Sequence, residues 1–190
     1  FSWVVILIAS FLSTGNTFAS CGSSYCALDP YSPFLTEKGR ISLGYAFEYI
    51  DQNTPRIGTD RASVGEIPGH HDEIRTINRI HRLNASWDAT DRLSFDLTMP
   101  FVSRNHSHVH HHHGDVILDE WNFSEMGDLG TQVRYAFFKP EDAKKPVLSL
   151  AAGLEFPTGE THIDNAAGSH AEPGITPGSG SYDVQVGLSA

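Results

Sequence analysis

From residue 41 onward the chain alternates with a period of two, and the two sets of side chains it separates are both unsuited to a dry protein core. In "ISLGYAFEYID" Ile41, Leu43, Tyr45, Phe47 and Tyr49 share one side, opposite Ser42, Gly44, Ala46 and Glu48. "RLSFDLTMPF" repeats this, with Leu93, Phe95, Leu97, Met99 and Phe101 against Arg92, Ser94, Asp96, Thr98 and Pro100. "GDLGTQVRYAFF", "VLSLAAGLEF" and "SYDVQVGLS" follow the same rule. Successive strand residues point to opposite faces, so this is the pattern of β-strands with one apolar and one polar face. Residues 75–89, "RTINRIHRLNASWDA", fit least well: Leu83, Ala85 and Trp87 share a side, but Arg79 and His81 lie on it too.

The polar side carries Glu48, Asp96, Arg134, Glu155 and Asp183. A dry core would have to desolvate each charge at a cost of several kcal/mol, whereas a water-filled lumen would not. The other side is aliphatic and aromatic, as contact with lipid requires, and the segments have about the 9–11 residues with which a tilted strand crosses a bilayer. Connections point the same way. "ATD" after Trp87 and "KPEDAKKP" after Phe138 are compact, while residues 53–73, 104–125 and 160–180 are long and rich in Gly, Pro, His and Asp. Short turns alternating with long loops are the habit of outer-membrane barrels. The expected fold is therefore an all-β, antiparallel, up-and-down transmembrane β-barrel, with those five charged residues lining the lumen.

A secreted β-sandwich is the competing architecture, and it leaves the sorting of charges from aromatics unexplained. Leu93, Phe95 and Leu97 buried under a second layer, with Asp96 in bulk solvent, would decide for it. Six alternating segments fall short of the roughly eight strands of the smallest bacterial barrels, so the sequence reads as the N-terminal part of one.

Before the strands, "FSWVVILIASFLSTGNTFAS" is apolar through Leu12 and then small and polar, with Thr17 and Ala19 in a small-x-small arrangement. This predicts an export signal over residues 1–19, cut short at its start, followed by a periplasmic segment over 20–40 and the barrel over 41–190. Cys21 and Cys26, in "CGSSYC", are expected to form a disulfide in an oxidising compartment; acylation of Cys21 is the alternative. A net charge of −10 excludes a nucleic-acid partner, because no cluster of Lys and Arg exists to meet phosphates.

The motifs "MGDLGTQVRYAFF", "LEFPTGE" and "TPGSGSYDVQVGLS", over residues 126–189, are similar in order and spacing to outer-membrane proteins of the MetA-pathway phenol-degradation type. That resemblance implies an outer-membrane, transporter-like barrel for a small, hydrophobic or aromatic solute. It supplies no catalytic residues. Gly127, Gly159, Gly178 and Gly180 read as structural, placed where a positive φ or a close backbone approach is needed; Asp128 would join the lumen.

"NHSHVHHHHGD" remains outside any family motif. Six imidazoles in eight positions, His106, His108, His110, His111, His112 and His113, followed by Asp115, offer ligands for Zn²⁺, Ni²⁺ or Cu²⁺. In an extended segment His106, His108 and His110 share a side, and Asp119 and Glu120 are near enough to join them. His70, His71, His162 and His170 fall in the other two long loops. The expectation is an exterior, solvent-exposed loop, and two further functions follow as alternatives to a channel: a surface metal-handling protein, or a lipid hydrolase built from Ser, His and an acid or amide. The hydrolase lacks a nucleophile motif such as G-x-S-x-G, so no enzyme activity and no obligatory cofactor are expected.

Overall fold

The computed structural model describes residues 38–64, 66, 72–112, 115–141 and 146–189. Cys21, Cys26, His70, His71 and His113 lie outside the described residues, as do the side chains of His111, His112 and Asp115. Described residues form no helix. They form β1 (Ile41–Gln52), β2 (Arg56–Ile57), β3 (Asp60–Arg61), β4 (Asp72–Asp88), β5 (Leu93–His112), β6 (Asp115–Met126), β7 (Leu129–Phe138), β8 (Leu148–Phe156) and β9 (Asp183–Ser189).

Seven of these make one antiparallel sheet in the order β1-β4-β5-β7-β8-β9, with β6 also on β5; β2 and β3 pair separately. The lower half of β5 pairs β7, from Leu93 opposite Tyr135 to Thr98 opposite Gly130. Its upper half pairs β6, from Phe101 opposite Met126 to His112 opposite Asp115. β6 and β7 are thus two consecutive strands on one flank of β5, interrupted at Gly127 and Asp128. The sheet is six positions across, and it is not closed into a barrel: β1 and β9 are its two ends.

Burial is distributed as the alternation requires, and inversely to a soluble core. Leu43 is 83% exposed and Leu188 77%, and Tyr45, Phe47, Trp87, Phe95, Leu97, Tyr135, Phe137 and Val186 are exposed with them. Ser94, Gln132, Arg134, Ser149 and Glu155, on the opposite face, are buried. Burial of a face under no second layer of strands means that the sheet curls around it. Phe95 and Leu97 are open while Asp96 is partly covered, the reverse of the sandwich arrangement.

One expectation is overturned. Residues 104–112 and 115–125 are not an irregular, solvent-exposed loop; they belong to the paired strands β5 and β6, and His106 and His108 are buried. Alternation continues through them, but its sense has changed. Above Phe101 the outer face carries Ser103, Asn105, Ser107, Glu120, Asn122 and Ser124, and the inner face carries Val102, Trp121 and Phe123. These inner residues, with Ile80, pack against Ile163 and Ile175 from the segment between β8 and β9. That segment folds back over the inner face instead of projecting away. The reversal also explains why residues 75–89 read poorly: β4 passes from one zone to the other. Its Arg79 donates to Asn105 Oδ1 at 2.8 Å, and His81 Nδ1 lies 2.7 Å from the Tyr45 hydroxyl.

Candidate functional site

Two groups of residues on the inner face are candidates for function. Lower down, Arg82 pairs with Glu48, Ser86 donates to Asp96 Oδ1 at 2.6 Å, and Thr98 donates to Asn84 Oδ1 at 2.9 Å. Each is a contact across neighbouring strands, so the polar side chains tie β1, β4 and β5 together as well as facing the interior. Glu48 takes Arg82 as its ion-pair partner, a cation that the alternation had not singled out, while Arg134 is buried with Ser94 and Ala151 opposite it in register. Glu155 is buried and stands directly opposite Asp183, which is exposed on the end strand. Both line a cleft of about 470 Å³ with Asp128, Gln185 and the turn from Pro173 to Ser179. Of the five charges expected on a lumen, all lie on the inner face, and four are at least partly covered.

Asp128 has a different task. Its Oδ1 accepts the Gly159 N–H at 2.7 Å and its Oδ2 accepts the Ser179 N–H at 2.6 Å. Gly178 N–H donates to the Glu160 carbonyl at 3.0 Å, closing the base of the intervening segment. The three motifs that carried the resemblance therefore meet at one carboxylate. A Cβ on Gly178 would sit 2.5 Å from the Gly159 oxygen, and one on Gly159 would sit 2.7 Å from the Gly127 carbonyl carbon. Close approach is what these two positions require; Gly180, with φ of +72°, is the positive-φ case.

The second group belongs to the hairpin. Period two places His106, His108 and His110 on the inner face of β5, and register places Asp119 of β6 directly opposite His108. One ligand atom each from His108, His110 and Asp119 lie within 4.8 Å of one another. His110 Nδ1 and Asp119 Oδ2 are 3.2 Å apart. His106 Nε2 is 3.0 Å from His108 Nδ1, and His106 Nδ1 is 2.7 Å from Thr76 Oγ1, so a chain of contacts holds the His108 ring from behind. Trp121 lies beside both rings, its centroid 5.1 Å from that of His108. Loss of water, then the neighbouring His108 and Arg104, push the His106 pKa down from 6.5 to about 4. His106 is therefore neutral at pH 7.

The segment above β8 grips the same spot. Asn165 donates from Nδ2 to Asp119 Oδ1 at 2.8 Å, while its own Oδ1 accepts the Ser169 N–H at 2.8 Å. Trp121 Nε1–H donates to the Ser169 carbonyl at 3.2 Å. Buried Arg104 donates to Asn78 Oδ1 and to the carbonyls of Gly174 and Ile175. His162 and His170 stack edge to face at 4.8 Å on the exposed side of this segment, with His170 against Asp164. The sequence marked Asp119 as a neighbour of the histidine run; Thr76, Asn165 and Trp121 carried no such signal, because only register and the folded-back segment bring them in.

No family model matches the chain, and no curated protein matches it.

Proposed function

We propose that the chain forms the wall of an outer-membrane β-barrel that passes a small solute along its polar face. One observation carries this reading: on a single curled sheet the apolar face is open and the polar face is covered. Fully burying a Leu, Val or Phe side chain is worth about 1.5–3 kcal/mol, and in water this protein would forgo that at Leu43, Tyr45, Phe95, Leu97, Val184, Val186 and their neighbours. Lipid tails remove the penalty. Backbone groups inside the sheet are satisfied by their neighbours, as a spanning strand requires, and the outer edges of β1 and β9 are the two that a closed cylinder would have to pair.

The height of the apolar face supports the same reading. On β5 it runs from Leu93 to Phe101, about 26 Å of strand at ~3.3 Å per residue, or roughly 20 Å after a ~40° tilt. That is short of the ~25 Å band of known barrels by about one residue pair, in a membrane that is itself thinner than average. Trp87 stacks on Phe95 at one margin, and Tyr45, Phe47 and Phe101 stand near the other, in the manner of interfacial aromatic girdles.

Passage is diffusive, past Ser42, Asn84, Thr98, Gln132 and Ser149, and no residue is assigned a catalytic role. The resemblance points to a hydrophobic or aromatic solute. Glu155 and Asp183, facing each other beside Asp128, add a bias against anions. Full-length protein reconstituted into liposomes tests this: small neutral and cationic solutes should swell the vesicles faster than anions of equal size. Protein that stays in the aqueous phase without detergent, or vesicles that never swell, would overturn it.

A further inference from the structure

We propose that His108, His110 and Asp119 form a transition-metal site that fastens the segment between β8 and β9 to the β5–β6 hairpin. Two imidazoles and one carboxylate are borderline donors. They suit Zn²⁺, Ni²⁺ or Cu²⁺ and match the three-ligand sets that leave one coordination position open, whereas Mg²⁺ and Ca²⁺ prefer oxygen throughout. The geometry is close to what such an ion asks for. Ligand atoms about 2.0–2.2 Å from a tetrahedral ion are roughly 3.3–3.6 Å apart; His110 Nδ1 and Asp119 Oδ2 are 3.2 Å apart, and one ligand atom from each of the three residues lies within 4.8 Å of the others. Small side-chain rotations complete the shell without moving the backbone, because β5 and β6 fix its register.

The surroundings look like those of a metal ligand set. A coordinating histidine characteristically turns its other ring nitrogen to a hydrogen-bond partner, and a coordinating carboxylate is itself hydrogen-bonded. His108 meets His106 on one ring nitrogen, and His106 in turn meets Thr76. Asp119 receives Asn165 on one oxygen and keeps the other toward His110. Burial shields two of the three from bulk water, His108 at 3% exposed and Asp119 at 7%, while the His110 side chain, 25% exposed, keeps a way in for an ion.

Asn165 makes the site a latch. It joins a metal ligand to the turn around Ser169, and Ser169 is bonded to Trp121. An ion bound only when the segment is docked lowers the undocked population by about 100-fold at a free concentration of about 100 Kd. The site does not require a closed barrel; only its effect on passage rests on the channel reading.

The test uses full-length protein in detergent, with Zn²⁺ titrated against a chromophoric chelator and hydrogen exchange read over residues 163–171. Wild type should bind one tight equivalent and show slower exchange with Zn²⁺. H108N/H110N should weaken that equivalent at least 100-fold and abolish the change in exchange; Asn165→Ala should weaken it about 10- to 100-fold. Replacing His111, His112 and His113 together, or His162 and His170 together, should leave it within about threefold. Should H108N/H110N fail to fold, Asp119→Asn serves in its place, with the same expected loss of the tight equivalent. Undiminished tight binding in H108N/H110N, or loss of binding on replacing residues 111–113 alone, would overturn the proposal. Vesicle swelling measured in parallel separates the readings: absent swelling with intact Zn²⁺ binding removes the channel and leaves the latch.

Discussion

On the lower part of β5, Phe95, Leu97 and Phe101 stand outward and Ser94, Asp96 and Thr98 inward; on its upper part, Ser103, Asn105 and Ser107 stand outward and Val102, Arg104 and His106 inward. The backbone geometry and the period are the same in both. Only the assignment of side chains to faces differs, and it differs because the two zones solve different solvent problems. Among the described residues the inner face of the lower zone carries no apolar side chain larger than Ala136, Ala151 and Pro100, and its large apolar side chains stand open on the other face. The upper zone builds a small core of its own from Ile80, Val102, Trp121 and Phe123, roofed by Ile163 and Ile175, and its outer face is mainly polar, with Tyr49, Ile77, Val109, Val116 and Leu118 as the apolar members. One strand thus changes the assignment of its two faces, and the change lies just above Phe101, where the proposed barrel places the edge of the lipid.

Substitutions can break this comparison at either end. Trp121→Ala should have the largest effect, about 3–5 kcal/mol, as the main side chain of the upper core is lost. It should free residues 163–175 to limited proteolysis while the lower zone keeps its protection. Equal loss of protection in both zones would show that they are one cooperative unit. Leu97→Arg in the lower zone should cost about 2–4 kcal/mol in a folding titration into lipid. The same charge on the exposed outer face of the upper zone, Asn122→Arg, should fall within about 0.5 kcal/mol, and matching costs would remove the boundary. Gly178→Ala, where a Cβ meets the Gly159 oxygen, should cost about 1–3 kcal/mol, read as a lowered melting midpoint. Weaker than the glycine change is the part-buried Arg82–Glu48 pair: Glu48→Gln should change stability by about 0.2–1 kcal/mol. Its clearer signature should be a weakened preference for cations in vesicle swelling.

Where residues have one consistent task, the sequence made it legible. The lower strands, their two faces and the five charges on the inner one all follow from period two, because a strand forces neighbours apart whatever surrounds it. The upper hairpin escaped because its polar outer face and His-rich inner face resemble the composition of a loop; Val102, Trp121 and Phe123 acquire their meaning only from Ile163 and Ile175, some forty to seventy residues further along the chain. For the same reason His106, His108 and His110 were recognisable as sharing a side and Asp119 as a neighbour, whereas Thr76, Asn165 and Trp121 were not recognisable as their setting. Asp128 lines the inner-face cleft and has a second task that the sequence did not show. An acid in a strand opening reads as lumenal, and only the folded chain reveals the two amide groups it receives.

Because the amides of Gly159 and Ser179 share the Asp128 carboxylate, the segment leaving β8 comes back to within a hydrogen bond of where it set out. Its two ends are stapled independently of what lies between, so lengthening or rewriting the stretch around residues 164–172 leaves the strands on either side in register. The same staple that holds a cap over the inner face makes that cap an exchangeable cassette, open to rewriting while the sheet beneath it stays intact.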